Sequence, residues 1–96
     1  MDSFLALNSF CSAIADDVRI GTTHVSLYVA LLQQWNFNGG KNPFYIDRKK
    51  IMKVAKINGR HTYNKCINNL HDYGYLFYQP STNGSRPSSV YLKNIQ

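Results

Sequence analysis

The sequence predicts a small α+β fold in which four helices are combined with three short strands. Apolar residues recur at helical spacing in four segments. Three short aromatic or β-branched segments, bounded by Pro, Gly and Asn, are typical of strands. The chain has 96 residues, of which 44% are hydrophobic, so we expect residues 1–96 to form a single domain with one core.

The first predicted helix covers residues 3–18, with Ser3 as its N-cap. Its apolar stripe consists of residues three or four positions apart, which are Phe4, Leu7, Cys11, Ile14 and Val18, widened by Leu5, Phe10 and Ala15. Such a stripe needs a partner surface. That surface is either the rest of the domain or the same helix of a second chain, so a homodimer through helix 3–18 is one expectation.

The second predicted helix, residues 24–35, is apolar around much of its circumference and is therefore expected at the centre of the domain. Either Thr22 or Thr23 would cap it. After a glycine-containing loop over residues 36–42, Phe44-Tyr45-Ile46 suits a short edge strand.

Two further helices are predicted around a tight turn over residues 56–59. Asp47 is the expected N-cap of helix 48–55, which would turn Ile51, Val54 and Ala55 inward. The next helix, 60–73, would end before Gly74. Its inward residues are predicted to be Tyr63, Cys66, Ile67 and Leu70.

The last predicted elements are two strands, 75–79 and 90–95, joined by a polar loop over 81–89. Tyr75, Phe77 and Tyr91 would form an aromatic patch on the outer side of this hairpin. Aromatic patches can stack single-stranded bases. Since helix 3–18 needs an apolar surface, we expect that helix to cover the patch, with self-association as the alternative.

The whole chain has a net charge of +6, and its positive charge is concentrated in the C-terminal part. Residues 1–40 hold one Arg and three Asp, whereas residues 41–96 hold ten Lys and Arg against two Asp. This asymmetry indicates that the C-terminal part faces a polyanion. The alternative is a basic surface that only improves solubility.

The sequence lacks the residue patterns that are usual for enzyme active sites and metal sites. Neither Cys11 nor Cys66 has an identifiable base with an orienting carboxylate, and no Gly-rich phosphate loop is present. His61, Cys66 and His71 do not have the spacing of metal ligands. We therefore expect no catalytic residue, no metal, no cofactor and no small-molecule substrate.

Two features bear on the compartment. No apolar run approaches the length of a membrane span, and the N-terminus does not have the pattern of a secretory signal. The two separated cysteines suit a reducing compartment rather than a disulfide framework. A cytoplasmic location away from the membrane is the expectation.

The segment from Ile46 to Leu92 resembles a winged helix-turn-helix. The resemblance is carried by the Asp47-capped helix, the Asn58-Gly59 turn, the helix start Arg60-His61-Thr62-Tyr63, and the passage Ile67-x-x-Leu70-x-x-x-Gly74-Tyr75-Leu76 into a polar loop. It implies a three-helix core with a small antiparallel β-hairpin wing over residues 22–96, plus an N-terminal helical extension over 1–20. The chain is also similar to small winged-helix proteins of conjugative transposons and to the N-terminal domains of plasmid and phage replication initiators.

The resemblance implies binding of double-stranded DNA, with helix 60–73 in the major groove. Residues of that helix that face away from the core, or lie in its first turn, would read bases, and these are Arg60, His61, Thr62, Asn64, Lys65 and Asn68. Phosphates would be contacted by the preceding helix and turn and by the wing, through Lys49, Lys50, Lys53, Lys56, Asn83, Ser85 and Arg86.

On this resemblance we expect a bacterial, nucleoid-associated transcriptional regulator or nucleoprotein-assembly factor of a mobile or plasmid-like element. The alternative is a docking winged helix, a protein–protein module without sequence-specific DNA binding. A helix face that is only solvated usually carries Glu and Lys in i,i+4 pairs. The chain has no Glu, which favours recognition of bases.

Overall fold

The computed structural model describes residues 3–81 and 86–93, which form an α+β fold of four helices and one three-stranded antiparallel sheet. In chain order the elements are α1 Ser3–Ile14, α2 Thr22–Phe37, β1 Phe44–Ile46, α3 Arg48–Ala55, α4 Arg60–Asp72, β2 Leu76–Gln79 and β3 Ser88–Leu92. The predicted α+β class and element order are confirmed. Within the described ranges, none of the helices has the length and apolar character needed to cross a membrane.

Helix α2 lies at the centre of the core, as predicted. Its buried side chains are Leu27, Tyr28, Ala30, Leu31, Leu32 and Trp35. The N-cap is Gly21 and not a threonine. The Gly21 amide donates to Nδ1 of His24 at 3.0 Å, so the imidazole satisfies the amide of the N-cap residue, as the third helical residue does in a capping box.

Helix α1 differs from the prediction in its length and in the face that it buries. It ends at Ile14, and Val18 lies beyond it with 98% of its surface exposed. The next acidic residues, Asp16 and Asp17, oppose the negative end of the helix dipole and disfavour continuation. Ser3 is the first residue of the helix and not its cap, and its hydroxyl donates to Oδ1 of Asn36 at 3.0 Å.

The buried face of α1 is set by an aromatic contact. Phe10 is fully buried, and its ring stacks on that of Tyr28 with centroids 3.7 Å apart. Phe10 also meets Tyr75 edge-on at 5.5 Å. Directing Phe10 inward turns Phe4 and Cys11 outward, so these two residues of the predicted stripe are not buried against the rest of the domain. Helix α1 covers Tyr75 but leaves Phe77 and Tyr91 about half exposed, so its predicted cover of the aromatic patch is only partial.

Helices α3 and α4 follow the predicted pattern closely. The Asp47 carboxylate accepts from the amides of Lys49 and Lys50, which confirms it as the N-cap of α3. Val54, predicted to face inward, is 48% exposed, because it lies on the flank of α3 rather than on its core side. All four predicted inward residues of α4 are buried. The φ of Gly74 is +89°, which suits glycine just beyond the helix end.

The sheet has the strand order β1-β3-β2, so β1 is an edge strand as predicted. Strand β2 begins at Leu76, and β3 extends from Ser88 to Leu92, so residues 88 and 89 belong to a strand and not to the predicted loop. The core-facing register pairs include Phe44 with Val90 and Leu76 with Leu92. The sheet thus packs one face against the helices and presents an outer face on its other side.

Asp17 holds the segment between α1 and α2 in place. Its carboxylate accepts from Nε and Nη2 of Arg19, each at 2.8 Å, and from the hydroxyl of Tyr75. The Arg19 guanidinium lies 4.1 Å from the ring centroid of Tyr73. The hydrogen bonds from Arg19, together with the one from Tyr75, hold the pKa of Asp17 well below its ordinary value. No residue pattern near Asp17 indicated this cluster.

We expect the Asp17 cluster to make stability depend on pH in the acid range. A carboxyl whose pKa is lowered by folding contributes fully above its unfolded value, near about 4, and the contribution is lost as the pH falls toward the folded value. Between about pH 5 and pH 2 the thermal midpoint of the wild type should therefore fall more steeply than that of Asp17→Asn. Asp16→Asn, at the exposed neighbouring residue, is the control. Equal pH dependence in both variants would contradict a specific role for Asp17.

Candidate nucleic-acid interface

Helix α4 buries one side and exposes the other. All six residues predicted to read bases are exposed, namely Arg60, His61, Thr62, Asn64, Lys65 and Asn68. Successive helical residues are rotated by about 100°. The outermost surface of the helix, opposite its buried side, is therefore formed by His61, Lys65, Asn68 and Asp72.

The remaining three predicted readers lie on the two flanks of α4. Arg60 and Asn64 are on the flank that faces the strands, where they border a groove. Thr62 is on the opposite flank, which it shares with Asn69. The Asn69 amide nitrogen lies 3.0 Å from Nε2 of His24 on α2, so this flank faces another helix. Five of the six residues thus lie on the outermost surface or on the flank that faces the strands, and Thr62 lies on the other flank.

The groove between the start of α4 and the base of the hairpin has a volume of about 310 Å³. Arg48, at the start of α3, and Arg60, at the start of α4, both line it. Sequence reasoning did not assign Arg48 to the site. Its position directly after the Asp47 cap was the available signal, since it places Arg48 in the first turn of the helix that precedes α4.

All four lysines predicted to contact phosphate are exposed. Lys50 and Lys53 border a groove between α2 and α3, together with Phe37 and Val54. Lys56 borders a different groove, near the start of α2. Lys56 also adopts a left-handed conformation, with φ at 63°, which turns the chain toward α4. Helix α3 ends at Ala55, so Lys56 lies at its C-cap and not within the helix.

The cations of this surface are not neutralised by carboxylates of the protein. In residues 3–81 and 86–93, the ion pair within 4.0 Å is that of Arg19 with Asp17, neither of which belongs to α3 or α4. Arg86, at the base of the hairpin loop, is exposed. The predicted phosphate contacts Asn83 and Ser85 lie outside the described residues.

Two polar side chains near the α4 surface are already engaged. The Asn68 amide donates to the carbonyl oxygen of Asn64 at 2.7 Å, which uses one of its two N–H groups and leaves its oxygen as an acceptor. His71, expected at the surface without a role, accepts from the backbone amide of Tyr78 at 3.0 Å and meets the ring of Phe77 edge-on at 5.1 Å. His71 thus links the end of α4 to β2.

Cys66 is a core residue, as predicted, and burial raises the pKa of its thiol. A raised pKa disfavours the nucleophilic thiolate at neutral pH.

No protein-family model, curated protein or solved structure matches this chain. What the protein does must therefore be argued from the placement of its own residues.

Proposed function

We propose that the protein binds double-stranded DNA as a winged helix, with α4 in the major groove and the hairpin as the wing. The observation that carries the proposal is the exposed face of α4, where cationic, imidazole and amide groups adjoin an arginine-lined groove. The order of α2, α3, α4 and the antiparallel β2–β3 hairpin supports it, since this is the order of elements in a winged helix.

The outermost residues of α4 are the ones we assign to base reading. Lys65 can pair with O6 and N7 of guanine, and the Asn68 oxygen remains available to accept from a base. Arg60 and Asn64, which line the groove, would meet the edge of the same base pairs. We add Arg48 to the phosphate contacts, because it lines the same groove as Arg60.

The role as a transcriptional regulator or nucleoprotein-assembly factor of a mobile or plasmid-like element rests on the family resemblance alone. A docking role is the second candidate. The groove between α2 and α3 combines exposed Phe37 and Val54 with Lys50 and Lys53, a combination suited to an amphipathic acidic partner.

Two single substitutions separate base reading from phosphate contact. On a duplex obtained by site selection, Lys65→Ala should lose about 1–3 kcal/mol of binding free energy and relax the base preference at one position. Lys53→Ala should weaken binding to selected and random duplexes by the same factor. Fluorescence anisotropy with both duplexes measures this difference. Equal losses for the two variants on both duplexes would contradict the assignment of readers and phosphate contacts.

A further inference from the structure

The outer face of the sheet carries aromatic side chains that the fold leaves exposed. Tyr45 is 66% exposed, Phe77 51% and Tyr91 47%. Phe77 and Tyr91 are register partners, and Tyr45 pairs with Ser89, two residues from Tyr91 on the same strand. Side chains directly across antiparallel strands have Cβ atoms about 4.5–5.5 Å apart, and diagonal neighbours remain within reach of aromatic rings. The three rings therefore lie close enough to contact one ligand.

Two hollows adjoin these rings and run together along β3. One, of about 380 Å³, is bordered by Tyr45 and Arg86, and the other, of about 370 Å³, by Phe77, Tyr91 and Lys93. Both are lined by the same three residues, Pro43, Gln79 and Ser89. The serine, whose side chain is small, is the register partner of both Tyr45 and Gln79, so it forms the low floor between them. We call this surface, made of Tyr45, Phe77, Tyr91, Arg86 and Lys93, the sheet platform.

One end of the platform is fixed by a side chain that bridges the sheet edge. The Asn42 amide donates to the carbonyl oxygen of Leu92 at 3.0 Å, and its oxygen accepts from the Leu92 amide at 3.1 Å. This pair of bonds holds Pro43 beside the end of β3. The platform is thus built on strands and on a bonded loop residue, which favours a preformed surface.

Charge on the platform is entirely positive among the residues that line the two hollows. Arg86 lies at the hairpin end and Lys93 at the other end, and no described lining residue is acidic. The five residues of β3 span about 13 Å at about 3.3 Å per step, and the two cations lie beyond its opposite ends. Exposed rings between two separated cations complement a ligand that alternates flat bases with phosphates.

We propose that the sheet platform binds single-stranded nucleic acid, with bases stacked on Tyr45, Phe77 and Tyr91 and phosphates paired with Arg86 and Lys93. Proteins that hold single strands combine these two features, stacking rings and a cationic track. A purely apolar partner would leave the two cations and the tyrosine hydroxyls unmatched. No residue of α4 lines either hollow, so the proposal does not depend on duplex binding by α4.

The test is fluorescence anisotropy of the full chain with labelled oligo(dT), oligo(rU) and a random duplex at low salt. Oligonucleotides of about 15 nucleotides are within the site sizes of single-strand-binding folds. Phe77→Ile and Tyr91→Ile keep an apolar, β-favouring side chain but remove the ring. Each should weaken single-strand binding about fivefold or more and leave duplex binding unchanged. Phe4→Leu, at an exposed phenylalanine on α1, is the matched control and should change neither.

A second readout reports stacking directly. Tyr91→Trp should bind as well as the wild type, and the fluorescence of the new indole should be quenched by the oligonucleotide, whereas Trp35 is buried and should not respond. If Phe77→Ile or Tyr91→Ile unfolds, two results still test the proposal. These are weaker single-strand binding by Lys93→Gln and quenching of the Tyr91→Trp fluorescence by the oligonucleotide. Comparable affinities for oligo(dT) and oligo(rU) would support recognition of the bases and phosphates that DNA and RNA share. A preference for one of them would identify the natural strand as DNA or RNA.

Three outcomes would overturn the proposal. The first is single-strand binding that the platform variants do not weaken beyond the Phe4→Leu control. The second is loss of both single-strand and duplex binding in Lys65→Ala with none in Tyr91→Ile, which would place both ligands on α4. The third is concentration-dependent self-association, seen by sedimentation, that Tyr91→Ile abolishes while single strands do not compete with it. This last result would make a second copy of the chain the occupant.

Discussion

Replacement of Phe10 by Ala should lower the free energy of unfolding by about 3–5 kcal/mol, the usual cost of removing a large buried aromatic side chain. Phe10 is fully buried, stacks on Tyr28 at 3.7 Å and meets Tyr75 at 5.5 Å. Because small domains are stable by only about 5–15 kcal/mol, this loss would be a large part of the total. Denaturant unfolding followed by circular dichroism measures it.

Phe4→Ala on the same helix is the control. Phe4 is 74% exposed, and substitutions at exposed positions usually change stability by less than about 0.5 kcal/mol. Both variants place Ala in α1, so the comparison removes the effect of helix propensity. If Phe10→Ala were as mild as Phe4→Ala, α1 would not contribute to the core. The better explanation of its apolar residues would then be that α1 joins two chains, which the exposed Phe4 and Leu5 would permit.

The elements that the sequence predicted well are those with local signals. Asp47 accepts from amides two and three residues ahead, and Gly74 adopts a positive φ directly after α4, so neither depends on distant parts of the chain. The buried spacing of α4 likewise follows from helical periodicity, and that spacing alone determines which side is exposed. The exposed face of the candidate interface was predictable for this reason.

The buried face of α1 was not predictable in the same way. The spacing of apolar residues does not show which of them will be buried. The observed rotation of α1 about its axis is set by the stacking of Phe10 on Tyr28 of another helix. Asp17 and Tyr75 are 58 residues apart, so their contact leaves no trace in local sequence. The groove shared by Arg48 and Arg60 also depends on how two helices meet. These features are tertiary contacts between distant parts of the chain, and secondary-structure propensity does not predict them.

The outer face of the sheet is an intermediate case. Two of its rings, Phe77 and Tyr91, were predicted to lie together, which the register confirms. Tyr45 was not grouped with them, because the pairing of β1 with β3 crosses more than 40 residues. Tyr75 was grouped with them but precedes β2 and enters the core beside Phe10. Which aromatic residues belong to the sheet platform therefore depends on how the strands pair. The alternation of apolar and polar residues along each strand does not specify that pairing.

Duplex binding should weaken by about 100-fold between about 50 and 200 mM salt if about four phosphates are contacted, since the log–log slope is about −0.9 per phosphate. The double variant Lys49→Gln/Lys53→Gln should lower the magnitude of this slope by about 2, because two counterion-releasing contacts are lost. Both lysines are exposed on α3, and neither has a carboxylate partner among the described residues. Anisotropy with a random duplex across a salt series measures the slope.

The matched control is Lys41→Gln/Lys93→Gln, which removes the same net charge from exposed residues outside α3 and α4. It should leave the duplex slope unchanged, while the sheet platform, which includes Lys93, should lose affinity for single strands. Equal loss of slope in both double variants would mean that duplex binding responds to net charge and not to a defined face. Absence of duplex binding even at low salt would remove the DNA proposal. The groove of Phe37 and Val54 between Lys50 and Lys53 would then be the surface on which to seek an acidic protein partner.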